Sequence, residues 1–278
     1  MTGLFLWTIS VNGENNMYEF IPELMREAAK IMLSAHDIDN SIDSKSGDAN
    51  FVTAYDVAVQ NFLYKEIGAR LPDAVIIGEE ADDNPMDALA TKVCFIIDPI
   101  DGTTNFIHNY RFSAISVGIT DGGRVVYGAV YNPYMNLLYF AERGRGAFVE
   151  TPSGTLPIHV SDRDLPNALA AFGTSPYYRE ELGDITFERA KWLFRNTRDI
   201  RRCGSAALDL CTVASGAVDI FFEYRLSPWD FAAGSLIIEE AGGVITQFDG
   251  SPITLDKPCS ILAGNTPCHT SARESGMF

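Results

Sequence analysis

The sequence is short of positive charge, of cysteine and of long apolar runs, and each shortage removes a class of function. Lysine and arginine together number 21 against 37 acidic residues, a formal net charge of −16. Repulsion then works against a nucleic-acid backbone or an anionic membrane as the main partner. The cysteines, at 94, 203, 211, 259 and 268, form an odd set with no C-x-x-C pair. Such a set argues against a disulfide framework or a structural zinc site and for a reducing, cytoplasmic setting. The apolar opening GLFLWTISV is too short to cross a bilayer and has neither a basic leader nor a small-residue cleavage site. Residues 1–16 read as an N-terminal extension, with Met17 as an alternative start. No internal repeat, low-complexity tract or long Gly/Ser/Pro linker interrupts the chain.

What remains is a chain of 278 residues, 46% hydrophobic, long enough for one large α/β unit or two packed subdomains. Apolar residues at Ile21, Leu24/Met25, Ala28 and Ile31/Met32 repeat at helical spacing. A second helix follows Thr53, with Tyr55, Val59, Phe62/Leu63 and Ile67 on one side and Asp56 in its first turn. After KVCFIID, the segments FSAISVGIT, RVVYGAVY and LLYFAE read as antiparallel strands, separated by Asp121-Gly122-Gly123 and Asn132-Pro133. Beyond Gly154 helix and strand alternate: SAALDLCTVASG, VDIFFE, DFAAGSLIIEEAGG, VITQF and SILAG. The expected fold class is α+β, a layered α-β-α-β-α sandwich. An N-terminal antiparallel sheet with helices (17–150) would hold metal and phosphate, and a C-terminal mixed α/β half (151–278) would hold substrate. The change of pattern falls in the Gly- and Pro-rich GRGAFVETPSGTLP.

From Asp73 to Asp101 there are eight carboxylates and one basic residue, Lys92. GEEADDNPMD reads as a polar, solvated turn. Asp98 and Asp101 differ, because they close the apolar run Val93 to Ile97, and a charge at the end of a buried strand needs partners. They could simply cap the turn and the next helix. A metal explains more: two hard oxygen donors three residues apart in a Pro-kinked turn suit Mg²⁺ or Mn²⁺, with a turn carbonyl beside them. The amides of Gly102-Thr103-Thr104 would then offer an anion site next to the cations.

Taken together, GEE at 78–80, DPIDGTTNF at 98–106 and WDFAAGSLIIEEAGG at 229–243 resemble the three signature blocks of the inositol monophosphatase family, in order. The resemblance covers nearly the whole chain. It implies metal ligation by Glu79, Asp98, the carbonyl of Ile100, Asp101 and Asp230, with two or three Mg²⁺ ions, Mn²⁺ as a substitute, and lithium sensitivity. It also implies that Thr103 activates the attacking water, assisted by Glu79, and that Asp56 orients Thr103. Substrate contacts would come from Asp101, Gly102, Thr103, Gly204, Ser205, Ala206 and Glu223, and Lys45 would lie in a loop that approaches the metals.

The implied activity is Mg²⁺-dependent hydrolysis of inositol 1-phosphate or a similar polyol or sugar phosphate, in a homodimer, without nucleic-acid or membrane partners. Five arginines from Arg189 to Arg202 depart from the animal enzymes and read as a solvated helix face near a dimer contact. Alternatively Arg201 or Arg202 would receive the second phosphate of fructose 1,6-bisphosphate. A further alternative is a regulatory protein that retains this fold.

Overall fold

The computed structural model describes residues 18–36, 42–44 and 51–278. The N-terminal extension expected at 1–16 and the loop expected around Lys45 both lie outside the described residues.

Helix α1 (Ile21–Leu33) starts on Pro22 and turns Ile21, Leu24, Met25, Ala28, Ala29 and Met32 inward. The short strands β1 (Ile42–Ser44) and β2 (Phe51–Thr53) pair antiparallel and lead into α2 (Ala54–Arg70). Thr53 and Asp56 cap each other's backbone at the start of α2, which satisfies amides that a helix leaves open.

A seven-stranded sheet comes next, in the order β3 to β9: Val75–Gly78, Cys94–Asp101, Ala114–Asp121, Arg124–Asn132, Leu137–Glu142, Ala147–Thr151 and Gly154–Ile158. It is antiparallel except at β3–β4, which run parallel. The Gly- and Pro-rich stretch at 144–157 falls largely on the β8–β9 hairpin, a continuation of the sheet. Between β4 and β5 lies the short helix α3 (Thr103–Ile107).

The second sheet has the order β11-β10-β12-β14-β13, that is Asp199–Arg201, Leu169–Phe172, Ile220–Leu226, Cys259–Gly264 and Val244–Thr246. Its helices are α4 (Arg179–Asn196), α5 (Ala206–Ala214), α6 (Pro228–Glu240) and α7 (Thr266–Glu274).

Three buried clusters fix the layering. Residues of α1 and α2 pack on Phe95, Ile97, Val117 and Ile119, one face of the first sheet. The middle cluster joins Ile96 on the opposite face to α5, α6 and Phe221 of β12. Alternate residues Ile220 and Phe222 pack with Ala190 of α4 and Ala272 of α7. The order is helices, sheet, helices, sheet, helices: the expected α-β-α-β-α sandwich. Because neighbours along a strand point to opposite faces, Asp98 shares the middle-layer side of Ile96, and Glu223 that of Phe221.

Helix α6 lies close enough to the first sheet to touch its backbone. Gly118 and Gly128 are opposite each other on β5 and β6. A Cβ on Gly118 would sit 2.9 Å from Ala232 Cβ, and one on Gly128 2.6 Å from the Ala233 carbonyl oxygen. Only glycine allows this approach, and it fixes how closely α6 lies on the sheet.

Candidate active site

Asp98 and Asp101 lie at the end of β4, where pairing with β5 shifts register between them. Asp230 is the third residue of α6, and its carboxylate accepts from the Ser227 amide at 2.7 Å. Asp98, Asp101 and Asp230 each aim an oxygen into one place, all within 4.8 Å of one another. Asp98 and Asp101 are buried, while Asp230 keeps some exposure to the cleft.

No ion pair among the described residues reaches these three. Burial, and then the charges of Glu79, Asp101 and Asp230, push the Asp98 carboxyl well above the usual range. Burial also lifts Asp101 to about 6, against the opposing hydrogen bonds from Ser205 and the Ala207 amide. Asp230 is raised by burial and by Glu79 and Asp101. Acids gathered without a basic partner are costly unless a cation joins them. The donors are all hard oxygens, and the set fits Mg²⁺ or Mn²⁺ and not a thiophilic metal. Glu79, whose amide binds the Ile97 carbonyl at 3.2 Å, and the Ile100 carbonyl line the same cleft.

Thr103 opens α3 beside the acids. Its hydroxyl lies 3.3 Å from Asp56 Oδ1 and 3.2 Å from the Ile100 carbonyl. With its one proton engaged there, Thr103 faces any further partner as an acceptor. Asp56 is fully buried; its Oδ2 accepts the Thr53 amide at 2.8 Å and the Thr53 hydroxyl. One carboxylate therefore caps α2 and holds Thr103, and burial raises it to about 6.

The cleft encloses 310 Å³ and reaches from the acids to Glu223. Glu223 lies three residues short of the end of β12, deeper than a strand-end acid would be. Its Oε1 accepts from the Ser175 amide at 2.7 Å and the Ser175 hydroxyl at 3.2 Å. Its Oε2 occupies the space over Gly173, where a Cβ would come within 1.8 Å. Burial raises its carboxyl to about 7, although Arg202 pulls the other way. Gly102, Gly204, Ser205 and Ala206 also line the cleft, and the Ser205 hydroxyl bonds Asp101. The structure thus brings the described residues singled out in the sequence around one cavity, with Asp56 behind Thr103.

Several neighbours escaped sequence reading. Asn105 Nδ2 bonds the carbonyls of Phe112 at 2.7 Å and Cys203 at 2.8 Å, tying α3 to the Gly204 loop. Asp209 also lines the cleft, 2% exposed, and its Oδ1 has no protein partner among the described residues. Tyr177 enters from the loop after β10, its phenol raised by burial and by the charges of Glu79, Asp230, Asp98 and Asp101. A larger concavity of 620 Å³ is lined by Met32, His36, Arg111 and Tyr134 and, among the described residues, by no carboxylate; the acids gather in the smaller cleft.

The arginine-rich segment is not uniformly solvated. The Arg189 guanidinium packs over the rings of Tyr224, Phe248 and Phe278 at 4.4, 4.5 and 5.2 Å. Arg201 pairs with Asp199, whereas Arg202 lines the cleft and donates to the Thr174 hydroxyl at 2.9 Å. No helix among the described residues is long and apolar enough to cross a membrane.

Comparison with known proteins agrees with this geometry. The inositol monophosphatase family profile matches residues 14–276. The Inositol-1-monophosphatase of Bacillus subtilis is 36% identical over 258 residues, covering 92% of this chain and 94% of that protein. Nus factor SuhB of Escherichia coli is 36% identical over 226 residues, 81% of this chain and 82% of that one. The structure of inositol monophosphate-bound SaIMPase-II superposes with a TM-score of 0.77 at 30% identity, covering 93% of this chain and 92% of the other. The same staphylococcal protein has also been solved with 2′AMP. Fold, carboxylate site and sequence all lead to one placement: the chain belongs to the inositol monophosphatase family of phosphatases.

Proposed function

We propose that the chain is a Mg²⁺-dependent phosphomonoesterase acting on inositol 1-phosphate or a similar polyol or sugar phosphate. The observation that carries this reading is the convergence of Asp98, Asp101 and Asp230 within 4.8 Å, with no basic partner among the described residues. Glu79 and the Ile100 carbonyl complete the ligand set for two or three ions, Mn²⁺ substituting. Bound there, divalent cations neutralise phosphoryl charge and lower the pKa of water.

The protein's own part is positional. Thr103, its proton engaged with Asp56 or the Ile100 carbonyl, accepts a hydrogen bond from a water and turns that water's lone pair toward phosphorus. Asp56 keeps the threonine in this rotamer. The amides near Gly102 and Thr103 receive phosphate oxygens, while Glu223 Oε2 and the Gly204–Ala206 backbone receive leaving-group hydroxyls. Water attacks without a covalent enzyme intermediate. Inositol monophosphate in a staphylococcal relative supports a polyol ester. Arg202 at the cleft is the feature that favours fructose 1,6-bisphosphate as the alternative.

Lithium inhibition, a homodimer and a cytoplasmic setting belong to the same reading. Because relatives are named Nus factor SuhB, a regulatory role on this fold is the second reading.

The test is phosphate release from inositol 1-phosphate, fructose 1,6-bisphosphate and nitrophenyl phosphate, with Mg²⁺ and after chelation. Mg²⁺-dependent release led by inositol 1-phosphate is expected. Absence of metal-dependent release from all three would refute the enzymatic reading and leave the regulatory one.

A further inference from the structure

Asn105 lies two residues beyond Thr103 on α3, so the two side chains leave the helix in different directions. Thr103 turns to Asp56, whereas Asn105, 7% exposed, turns to the loop that joins β11 to α5. A primary amide carries two N–H bonds. Asn105 Nδ2 serves two acceptors, the Phe112 carbonyl at 2.7 Å and the Cys203 carbonyl at 2.8 Å.

The bond to Cys203 acts on the far side of the same peptide unit. Carbonyl and N–H of a planar trans peptide point in opposite directions, so a Cys203 carbonyl held toward Asn105 turns the Gly204 N–H away from it. That N–H donates to no protein group among the described residues. Its neighbours are engaged, because the Ser205 hydroxyl and the Ala207 amide both go to Asp101. Gly204 lines the cleft at φ +91°, and a Cβ there would stand 2.4 Å from Arg202 Nη1. Glycine reaches negative φ as readily as positive. Without an anchor, the 203–204 peptide could therefore turn over and put the Cys203 carbonyl where the N–H now stands.

We propose that Asn105 is a positioning residue: its hold on the Cys203 carbonyl aims the Gly204 N–H into the cleft, as a donor to a ring hydroxyl of the leaving group. This role rests on the phosphomonoesterase reading above and concerns one contact to the leaving group. Asparagine suits it because aspartate, of the same shape, has no N–H to offer at neutral pH.

Inositol 1-phosphate and cyclohexyl phosphate share a six-membered ring and differ in the ring hydroxyls. Losing one neutral hydrogen bond costs about tenfold, so Asn105→Ala and Asn105→Asp should each lower the kcat/KM ratio of the first ester over the second by about that factor. A residue that only braced α3 would weaken both esters alike through Thr103. A ratio unchanged in the variants, or a wild type that turns over both esters equally, overturns the proposal.

A second measurement needs no turnover. Cys203 and Gly204 form the one Cys-Gly step in the chain, so ¹³C in cysteine carbonyls and ¹⁵N in glycine amides isolate the Gly204 amide as a single NMR signal. With Ca²⁺ in place of Mg²⁺, inositol 1-phosphate should shift that signal more than cyclohexyl phosphate does in the wild type, and the difference should vanish in Asn105→Asp. This pattern in a protein that hydrolyses neither ester keeps the positioning role and ends the proposed function. Hydrolysis of inositol 1-phosphate with equal shifts from the two esters does the reverse.

Discussion

Replacing Glu223 by Gln should stabilise the protein and weaken it as an enzyme, two effects of opposite sign from one atom exchange. Glu223 is 7% exposed and its carboxyl is lifted from 4.5 to about 7. A shift of that size corresponds to roughly 3 kcal/mol of penalty on the ionised, folded form. The sign follows from linkage: a carboxyl raised in the folded state favours folding least above its folded pKa. Stability is therefore lost as pH rises from about 4.5 through about 7. The amide analogue keeps an oxygen for the Ser175 amide and carries no charge. Without metal, Glu223→Gln should melt several degrees above the wild type at pH 8, and the gap should narrow toward pH 5. With Mg²⁺, turnover of inositol 1-phosphate should fall by about 1–3 kcal/mol in kcat/KM, because a charged acceptor becomes neutral. Nitrophenyl phosphate, which has no ring hydroxyls, should fall far less. A melting gap independent of pH would refute the burial argument; equal losses on both esters would mean that Glu223 supports the acids and not the polyol.

Asp98→Asn should abolish nearly all turnover while the fold survives, and retention of more than about a tenth of wild-type kcat, under 1.4 kcal/mol of barrier, would sink its central role. Thr103→Ala should cost about a hundredfold in kcat, with Thr103→Ser restoring most of it; a serine variant as poor as alanine would point to packing in place of the hydroxyl. Arg189→Ala should lower the melting temperature by about 5 °C through loss of its three ring contacts, whereas Arg198→Ala should move it by about 1 °C; equal shifts would refute the distinction.

Asp98, Asp101 and Glu223 were legible because each closes an apolar run, whereas Glu79, Asp56 and Asp230 are locally ordinary and were marked only by the family resemblance. Helical spacing likewise marked α1 and α2. Strands β10 and β11 were not legible, since three or four residues flanked by polar sequence carry too little periodicity and owe their pairing to β12. The environment of Arg189 was hidden for another reason: its rings come from positions 224, 248 and 278, which only the fold assembles. Tyr177 and Asp209 belong to the same class. Neither is out of place locally, and only the cleft gives them a role.

The contact between α6 and the glycines of β5 and β6 acts as a gauge block for the catalytic centre. Asp230 lies in the first turn of the helix that rests on Gly118 and Gly128, whereas Asp98 and Asp101 belong to the neighbouring strand β4. The spacing of the three acids is thus machined by a joint that contains no polar atom of the site. A single added methyl group there would push Asp230 away from Asp98 and Asp101 although no side chain of the site had been replaced. In a screen for lost activity, these two glycines would therefore appear as catalytic positions.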